Sequence, residues 1–286
     1  MYIIIFCWAL ILTACHSEQT EPVMYKPNIS AKMGESGTDF LTRNNLSVKS
    51  NVDKQPAGLN FYQHHWDSNR PGEVFFEHGA YSFKIPYALT VMGTENLRHL
   101  NEGIESFFFN ATISAKKTIS HDSARIEFIK IVQHLNGLGW KRHIGHSDPR
   151  LHGEQAFNYY RAHNFYPLPV DFTPTLKQWM QIDVGFWNLY ADGVFLEIRF
   201  HRDNDHLDTE KPGAYLLVFK FETKNQYGRS MFDGEEREHW QDLWVDTIKK
   251  SKKERYAKEA ELTKRGLIID TTYQDPKIHP ADPVEP

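Results

Sequence analysis

Three stretches alternate apolar and polar residues with a period of two, and they lie close enough along the chain to pair. Met180, Ile182, Val184 and Phe186 alternate with Gln181, Asp183 and Gly185. Val194, Leu196, Ile198 and Phe200 alternate against Glu197 and Arg199, and Tyr215, Leu217, Phe219 and Phe221 share one face of a third run. Ala191-Asp192-Gly193 marks a turn between the first two, because glycine accepts a positive φ at little cost. Successive side chains of a strand point to opposite faces, so the pattern predicts an antiparallel meander with one buried face.

Other segments add to this frame. Phe75 to Pro86 has strand character, with Tyr81, Phe83 and Ile85 on one face, and Phe107 to Ile113 is a further β-rich run. Glu95 to Ile104 reads as a short helix. Ser120 to Leu138 reads as a longer one, with Ile126, Ile129, Val132 and Leu135 at helical spacing. The last helix, residues 233–265, is long and charged. Asp233-Gly234-Glu235-Glu236 resembles a capping box, acidic residues gather at its start, and Lys249, Lys250, Lys252 and Lys253 follow. Its apolar stripe of Trp240, Leu243, Trp244 and Ile248 fades after Ser251, so the first half is expected to dock and the second to lie loosely. Pro276, Pro280, Pro283 and Pro286 exclude a helix from the tail. The expected class is α+β: antiparallel β-sheet or sheets with packed helices and a long charged C-terminal helix.

The amino terminus reads as an address. Ile3 to Leu12 is an apolar run of ten residues, too short for a membrane-spanning helix of about 20 but suited to the core of a secretory signal. Leu12-Thr13-Ala14-Cys15 follows and resembles the bacterial lipobox, in which the Cys thiol takes a diacylglycerol and small side chains precede the cleaved bond. No Lys or Arg precedes the run, a departure from the usual signal, and a plain signal peptide is the alternative. The lipobox reading makes 1–14 a signal peptide and Cys15 the lipid attachment. His16 rather than Asp after the Cys then favours, by the usual sorting rule, the periplasmic face of the outer membrane. Polar residues broken by Gly and Pro fill the chain to Leu59, so 15–59 is expected to be a lipidated flexible tether and 60–286 the folded body.

Composition excludes some classes of function. A net charge of −4 argues against a nucleic-acid binder that works by neutralising phosphates. Two cysteines, one leaving with the signal and one acylated, leave no thiol for catalysis or a disulfide. The 15 histidines invite a metal reading, but His143, His146 and His152 fall on a stretch with Gly145, Asp148 and Pro149 and form no zinc motif. The run Asp203-Asn204-Asp205-His206-Leu207-Asp208 resembles a calcium loop, yet Asp208 and Ala214 stand where an EF-hand needs Gly and Glu. There is no Gly-x-Ser-x-Gly, no Ser-x-x-Lys and no glycine-rich phosphate loop. Carboxylates such as Glu77, Asp183, Asp192 and Glu197 read as solvent-facing sheet residues rather than a glycosidase pair. No enzyme activity, cofactor or metal is expected.

Ser147-Asp148-Pro149-Arg150-Leu151-His152-Gly153, Asp192 to Ile198 (DGVFLEI) and Lys253 to Ala260 (KERYAKEA) resemble stretches of periplasmic lipoproteins found beside type VI secretion effectors, a group that acts as immunity proteins. The resemblance implies a protein that binds a secreted effector, such as a lipase or a peptidoglycan enzyme, and blocks it by occlusion. Occlusion needs no catalytic residue. It needs buried aromatic anchors and a polar rim. Tyr159, Tyr160, Phe165, Tyr166 and Trp187 supply aromatics, and Asp203, Asp205 and Asp208 supply a charged patch for steering. The rival expectation is a structural lipoprotein that scaffolds an envelope assembly through its long charged helix, and an envelope hydrolase is a third.

Overall fold

The computed structural model describes residues 25–283; the apolar leader and Cys15 lie outside the described residues. The first half runs β1 (Asn28–Lys32), α1 (Gly37–Arg43), α2 (Val48–Asn51), β2 (Val52–Gln55), β3 (Leu59–His65), β4 (Gly72–Glu77), β5 (Phe83–Asn96), β6 (Ile104–Thr112), β7 (Ile119–Ser120), α3 (His121–Gly137) and β8 (Lys141–Arg142). The second half runs α4 (Gly153–Ala162), α5 (Leu176–Gln181), β9 (Phe186–Ala191), β10 (Val194–Arg202), β11 (Pro212–Gly213), β12 (Tyr215–Thr223), α6 (Lys224–Ser230) and α7 (Trp240–Lys264).

The class is α+β. One sheet of 10 strands has the order β1-β4-β5-β6-β12-β10-β9-β8. The first part of β5 pairs with β4, the second part with β3, and β2 hangs on β3. All these pairs are antiparallel except β1 with β4.

One face of the sheet carries an aromatic core. Phe128 of α3 meets Trp187 at 4.6 Å between ring centroids, Trp179 of α5 stacks on Phe200 at 4.0 Å, and Phe76 stacks on Phe221 at 4.0 Å. Phe40 of α1 reaches Phe107 at 5.7 Å, which extends the same covered face across to the N-terminal strands. Ser120 caps α3 by accepting from the Ser123 amide at 3.2 Å, as the sequence leads one to expect. Ile126 of the expected stripe is exposed, and Phe128 takes part in the core instead.

The meander is present with one shift. β10 and β12 form where their alternation puts them, and Asp192 (φ 39°) and Gly193 (φ 82°) make a two-residue turn with both central residues left-handed. That turn matches the right-handed twist of the flanking strands. The strand expected over Met180–Phe186 does not form there: Met180 and Gln181 end a helix and residues 182–185 are irregular. Thr175 and Gln178 form a reciprocal capping box, with Thr175 N donating to Gln178 Oε1 at 2.7 Å, and they start α5, which buries Trp179. The strand begins only at Phe186, so Trp187, Leu189 and Ala191 point into the core and Phe186 points away, the reverse of the expected face. The single strand expected over Phe75–Pro86 is likewise two, β4 and β5, separated by a 3-10 turn at Gly79–Tyr81.

The tether expected through Leu59 is corrected, because residues from Asn28 onward are folded. β1 buries Ile29 and Ala31, and α1 buries Phe40 and Leu41. Asn44 locks the two together, its amide donating to Ser30 O and its oxygen accepting from Ser30 N, both at 2.8 Å. Only a few apolar residues per element are needed, since the surface they cover is supplied by strands elsewhere in the chain.

The C-terminal helix is also corrected. Residues Gly234–His239 form a 3-10 turn, Asp233 makes no side-chain cap, and the α-helix proper is Trp240–Lys264. Its second half is packed, not loose. Arg255 is wholly buried and Glu259 and Leu262 nearly so, because the tail returns across the helix and supplies Asp275 to Arg255 while Arg150 pairs with Glu259.

Candidate functional site

The second face of the sheet is only partly covered. Strand register sets its rows. Asn110, Val218, Arg199 and Phe186 lie side by side across β6, β12, β10 and β9. Phe108, Lys220, Glu197 and Asn188 form the next row on the same face, and Ser106, Glu222, Phe195 and Tyr190 the one after. At this last row the face is roofed. Tyr227 of α6 stacks on Phe195 at 3.9 Å and 11°, and Phe232, Trp240, Trp244, Ile248 and Ile278 pack into the same satellite cluster. In the two preceding rows Phe186 and Val218 are buried, and Phe108, Asn110, Asn188, Glu197, Arg199 and Lys220 are half-buried.

The roofed corner holds buried polar groups. His143 lies edge-on to Phe195 and Tyr227, with its Nε2 at 3.3 Å from the Tyr227 hydroxyl. Burial first, with the neighbouring His146 adding to it, lowers its pKa to about 3. His146 sits between Trp244 and Asp275, with Nδ1 at 3.5 Å from the carboxylate. Asp275 receives Arg255 in a bidentate fork at 2.9 Å, and its carboxyl is held well below the ordinary range by hydrogen bonds and charge from His146 and Arg255, against the opposing effect of burial. Both histidines are thus buried inside the fold rather than on an open loop. Among the described residues, no three His, Cys, Asp or Glu side chains converge as a metal-ligand set.

Phe165 stands beside the half-buried rows. It follows α4 on the loop 163–165, is 81% exposed, and its ring lies against that of Phe186 at 5.4 Å. Single apolar side chains are common on protein surfaces, and what marks Phe165 is that it lines two depressions. A depression of about 380 Å³ lies on one side, lined by Phe165, Phe186, Tyr160, Asp183, Arg199 and His201. On its other side a slot of about 150 Å³ is lined by Phe165, Asp148, Asn188, Glu197, Glu222 and Lys220 among others. Lys220 is paired with Glu222 at 2.8 Å and Glu197 with Arg199 at 3.4 Å, so the remaining carboxylate on the slot is Asp148. Burial raises the pKa of Asp148, with Lys258 and Arg255 opposing it. The side-chain oxygen of Asn188 is buried without a donor. Such an acceptor is costly unless a donor reaches it.

The expected contact residues separate into three groups. Trp187 is wholly buried on the covered face, and Tyr166 is buried with its hydroxyl donating to Pro149 O at 2.7 Å, so neither can touch a partner. Tyr160 is buried and donates to Val184 O at 3.1 Å, exposing only what lines the depression. Tyr159 is half-buried and stacked on His163 at 3.9 Å. Asp203, Asp205 and Asp208 form an exposed turn, as expected, but Asp203 is engaged with His206 at 3.0 Å and Asp208 with Lys211 at 3.0 Å. The aromatics are buried because they sit at positions that helix α4 and the meander turn inward. Phe165 was the one among them with no periodic partner, standing between the end of α4 and Pro167. Asn188, Glu222 and Phe186 carried no signal, since their convergence depends on strand register. Comparison with known protein families, with curated proteins and with solved structures finds no match to this chain.

Proposed function

We propose that this chain is a lipoprotein, anchored through Cys15 at the periplasmic face of the outer membrane, that binds a secreted toxin and neutralises it by covering its active site, with no chemistry of its own. The observation that carries the binding part is Phe165, an exposed aromatic on the loop after α4 that lines two depressions beside the half-buried rows of the sheet. An aromatic anchor beside recesses that can receive partner side chains is the arrangement from which binding hot spots are built. Asp148 and the unfilled Asn188 acceptor suit a lysine or arginine of the partner in the slot. The lipobox at Leu12–Cys15 and the resemblance to immunity lipoproteins support the location and the kind of partner. The scaffold reading needs a free charged helix, whereas α7 is occupied along its second half by Arg150 and by the returning tail.

The test is a challenge between sister cells that fire their secretion system. Cells lacking this protein are expected to lose viability. The wild-type gene restores it, and Phe165→Asp, checked to be folded and present at equal level, restores it poorly. Undiminished survival of the deletion strain, with the neighbouring toxin gene intact, would overturn the reading.

A further inference from the structure

A second recess, of about 430 Å³, lies where the ends of β6, β10 and β12 meet the loop after β6 and the loop between β3 and β4. We propose that it binds a small amphiphilic anion, a phosphate or carboxylate carried on an apolar body. This does not depend on the toxin reading: it rests on Arg202, Lys116 and Lys117, which that reading does not use, although His201 lines both recesses.

The argument starts from Arg202, which lines the recess. Its Nε donates to the Tyr215 hydroxyl at 3.2 Å and its Nη2 to Trp179 O at 2.9 Å, and the guanidinium lies 5.6–5.9 Å from the ring centres of Trp179, Phe200 and Tyr215. The hydroxyl, the carbonyl and the rings are all uncharged. Among the described residues, no carboxylate pairs with Arg202. Arg229 and Arg255, by contrast, each hold one or two. The Tyr215 hydroxyl is fixed in turn by His121 Nδ1 at 2.5 Å and by Trp179 Nε1 at 3.0 Å, so the guanidinium is held in place before any ligand arrives. A half-buried, pre-positioned guanidinium without a counter-ion is the group that phosphates and carboxylates bind best, through paired charge-assisted hydrogen bonds.

The rest of the lining agrees. Lys116 and Lys117 bring two more cations, and neither pairs with a carboxylate among the described residues. Asp203 is the one carboxylate on the lining, and it is occupied by His206. Burial, with the Arg199 charge adding to it, lowers the pKa of His201, so its ring is neutral at pH 7 and can serve as a hydrogen-bonding group. Pro71, Ala115, Ala214 and Leu216 supply apolar wall. The volume lies within the range of small-molecule sites. A site with an unpaired cationic end and an apolar wall fits an anion with a short hydrocarbon chain better than a bare ion or a neutral molecule.

The experiment is isothermal titration of the purified chain with octyl phosphate and with octanoate, each below its micelle concentration, alongside octyl glucoside and inorganic phosphate. Saturable one-to-one binding of at least one octyl anion is expected, with octyl glucoside and inorganic phosphate each weaker by about tenfold or more, the scale of one lost charge-assisted contact. Octyl phosphate alone would assign a phosphate site, and both octyl anions a general anion site. Arg202→Gln is expected to weaken binding by a similar factor. Because that change also disturbs packing, Lys116→Gln/Lys117→Gln on the exposed loop is the second variant, expected to weaken binding severalfold with an unchanged melting temperature. Absence of saturable binding by either octyl anion, equal binding of octyl glucoside or of inorganic phosphate, or binding indifferent to both variants would overturn the proposal.

Discussion

Trp187 and Asn188 are neighbours in β9 and meet opposite surroundings. Trp187 lies wholly buried against Phe128, within a continuous aromatic layer under α1, α3 and α5. Asn188 points to the other face, where Glu197 and Lys220 are its row-mates and its own oxygen finds no donor. The covered face is closed by apolar contact. The other face is roofed at one corner, partly over buried polar and charged groups: His143, His146, Asp275 and Arg255 under α6, α7 and the tail. A sheet roofed on one side is enough for a stable core. On the second side Phe165 stands exposed beside the half-buried rows of the sheet.

Trp187→Ala on the covered face should cost the most, about 3–5 kcal/mol of unfolding free energy by urea titration, because it removes a large buried ring from packed neighbours. If it costs no more than a surface change, the covered face is not the core. Arg255→Met should cost about 3 kcal/mol, since it leaves Asp275 buried beside only Lys252 and His146. Adding Asp275→Asn to that variant should recover part of the loss. An additive double variant would mean the two groups do not act as a pair.

The charged corner should also make the protein sensitive to acid. Folded His143 refuses a proton until about pH 3, whereas the unfolded chain accepts one near the ordinary value of 6.5. The unfolded state thus binds more protons in that window, and stability must fall as pH falls through it, by about 1.4 kcal/mol per pH unit. Asp275, whose pKa is depressed, adds a further loss as pH drops through the carboxylate range. Urea midpoints measured between about pH 4 and 6 should have a shallower slope in His143→Gln than in the wild type. An unchanged slope would show that the acid response arises elsewhere. The smallest effect on stability is expected from Phe165→Ala, below about 1 kcal/mol, because its single ring contact is with Phe186. A larger loss would mean that Phe165 is structural and would sharpen the boundary between the covered and the open face.

Alternation was enough to read β10, β12 and the Asp192-Gly193 turn, because period two and a positive-φ glycine are local properties. It misread residues 180–185, where Met180, Ile182 and Val184 also alternate but the helix begun by the Thr175–Gln178 capping box runs to Gln181 and an irregular stretch follows to Gly185. That slip reversed the facing of Trp187 and Phe186, and with it the choice of contact aromatics. The N-terminal elements escaped notice because β1 and α1 carry few apolar residues each. The second half of α7 was missed because its partners are ionic: Glu259 and Arg255 look like a solvated face until Arg150 and Asp275 are brought to them.

By itself the sequence determined the class of the fold, the meander at its centre and the long charged helix at its end, since each depends on periodicity and on neighbours a few residues away. Only the tertiary structure decided which aromatic is exposed, which arginine lacks a counter-ion and which acceptor lacks a donor. Those are statements about unmet partners, and a missing partner becomes visible only when residues more than a hundred positions apart, such as Arg150 and Glu259, are close enough to be counted together.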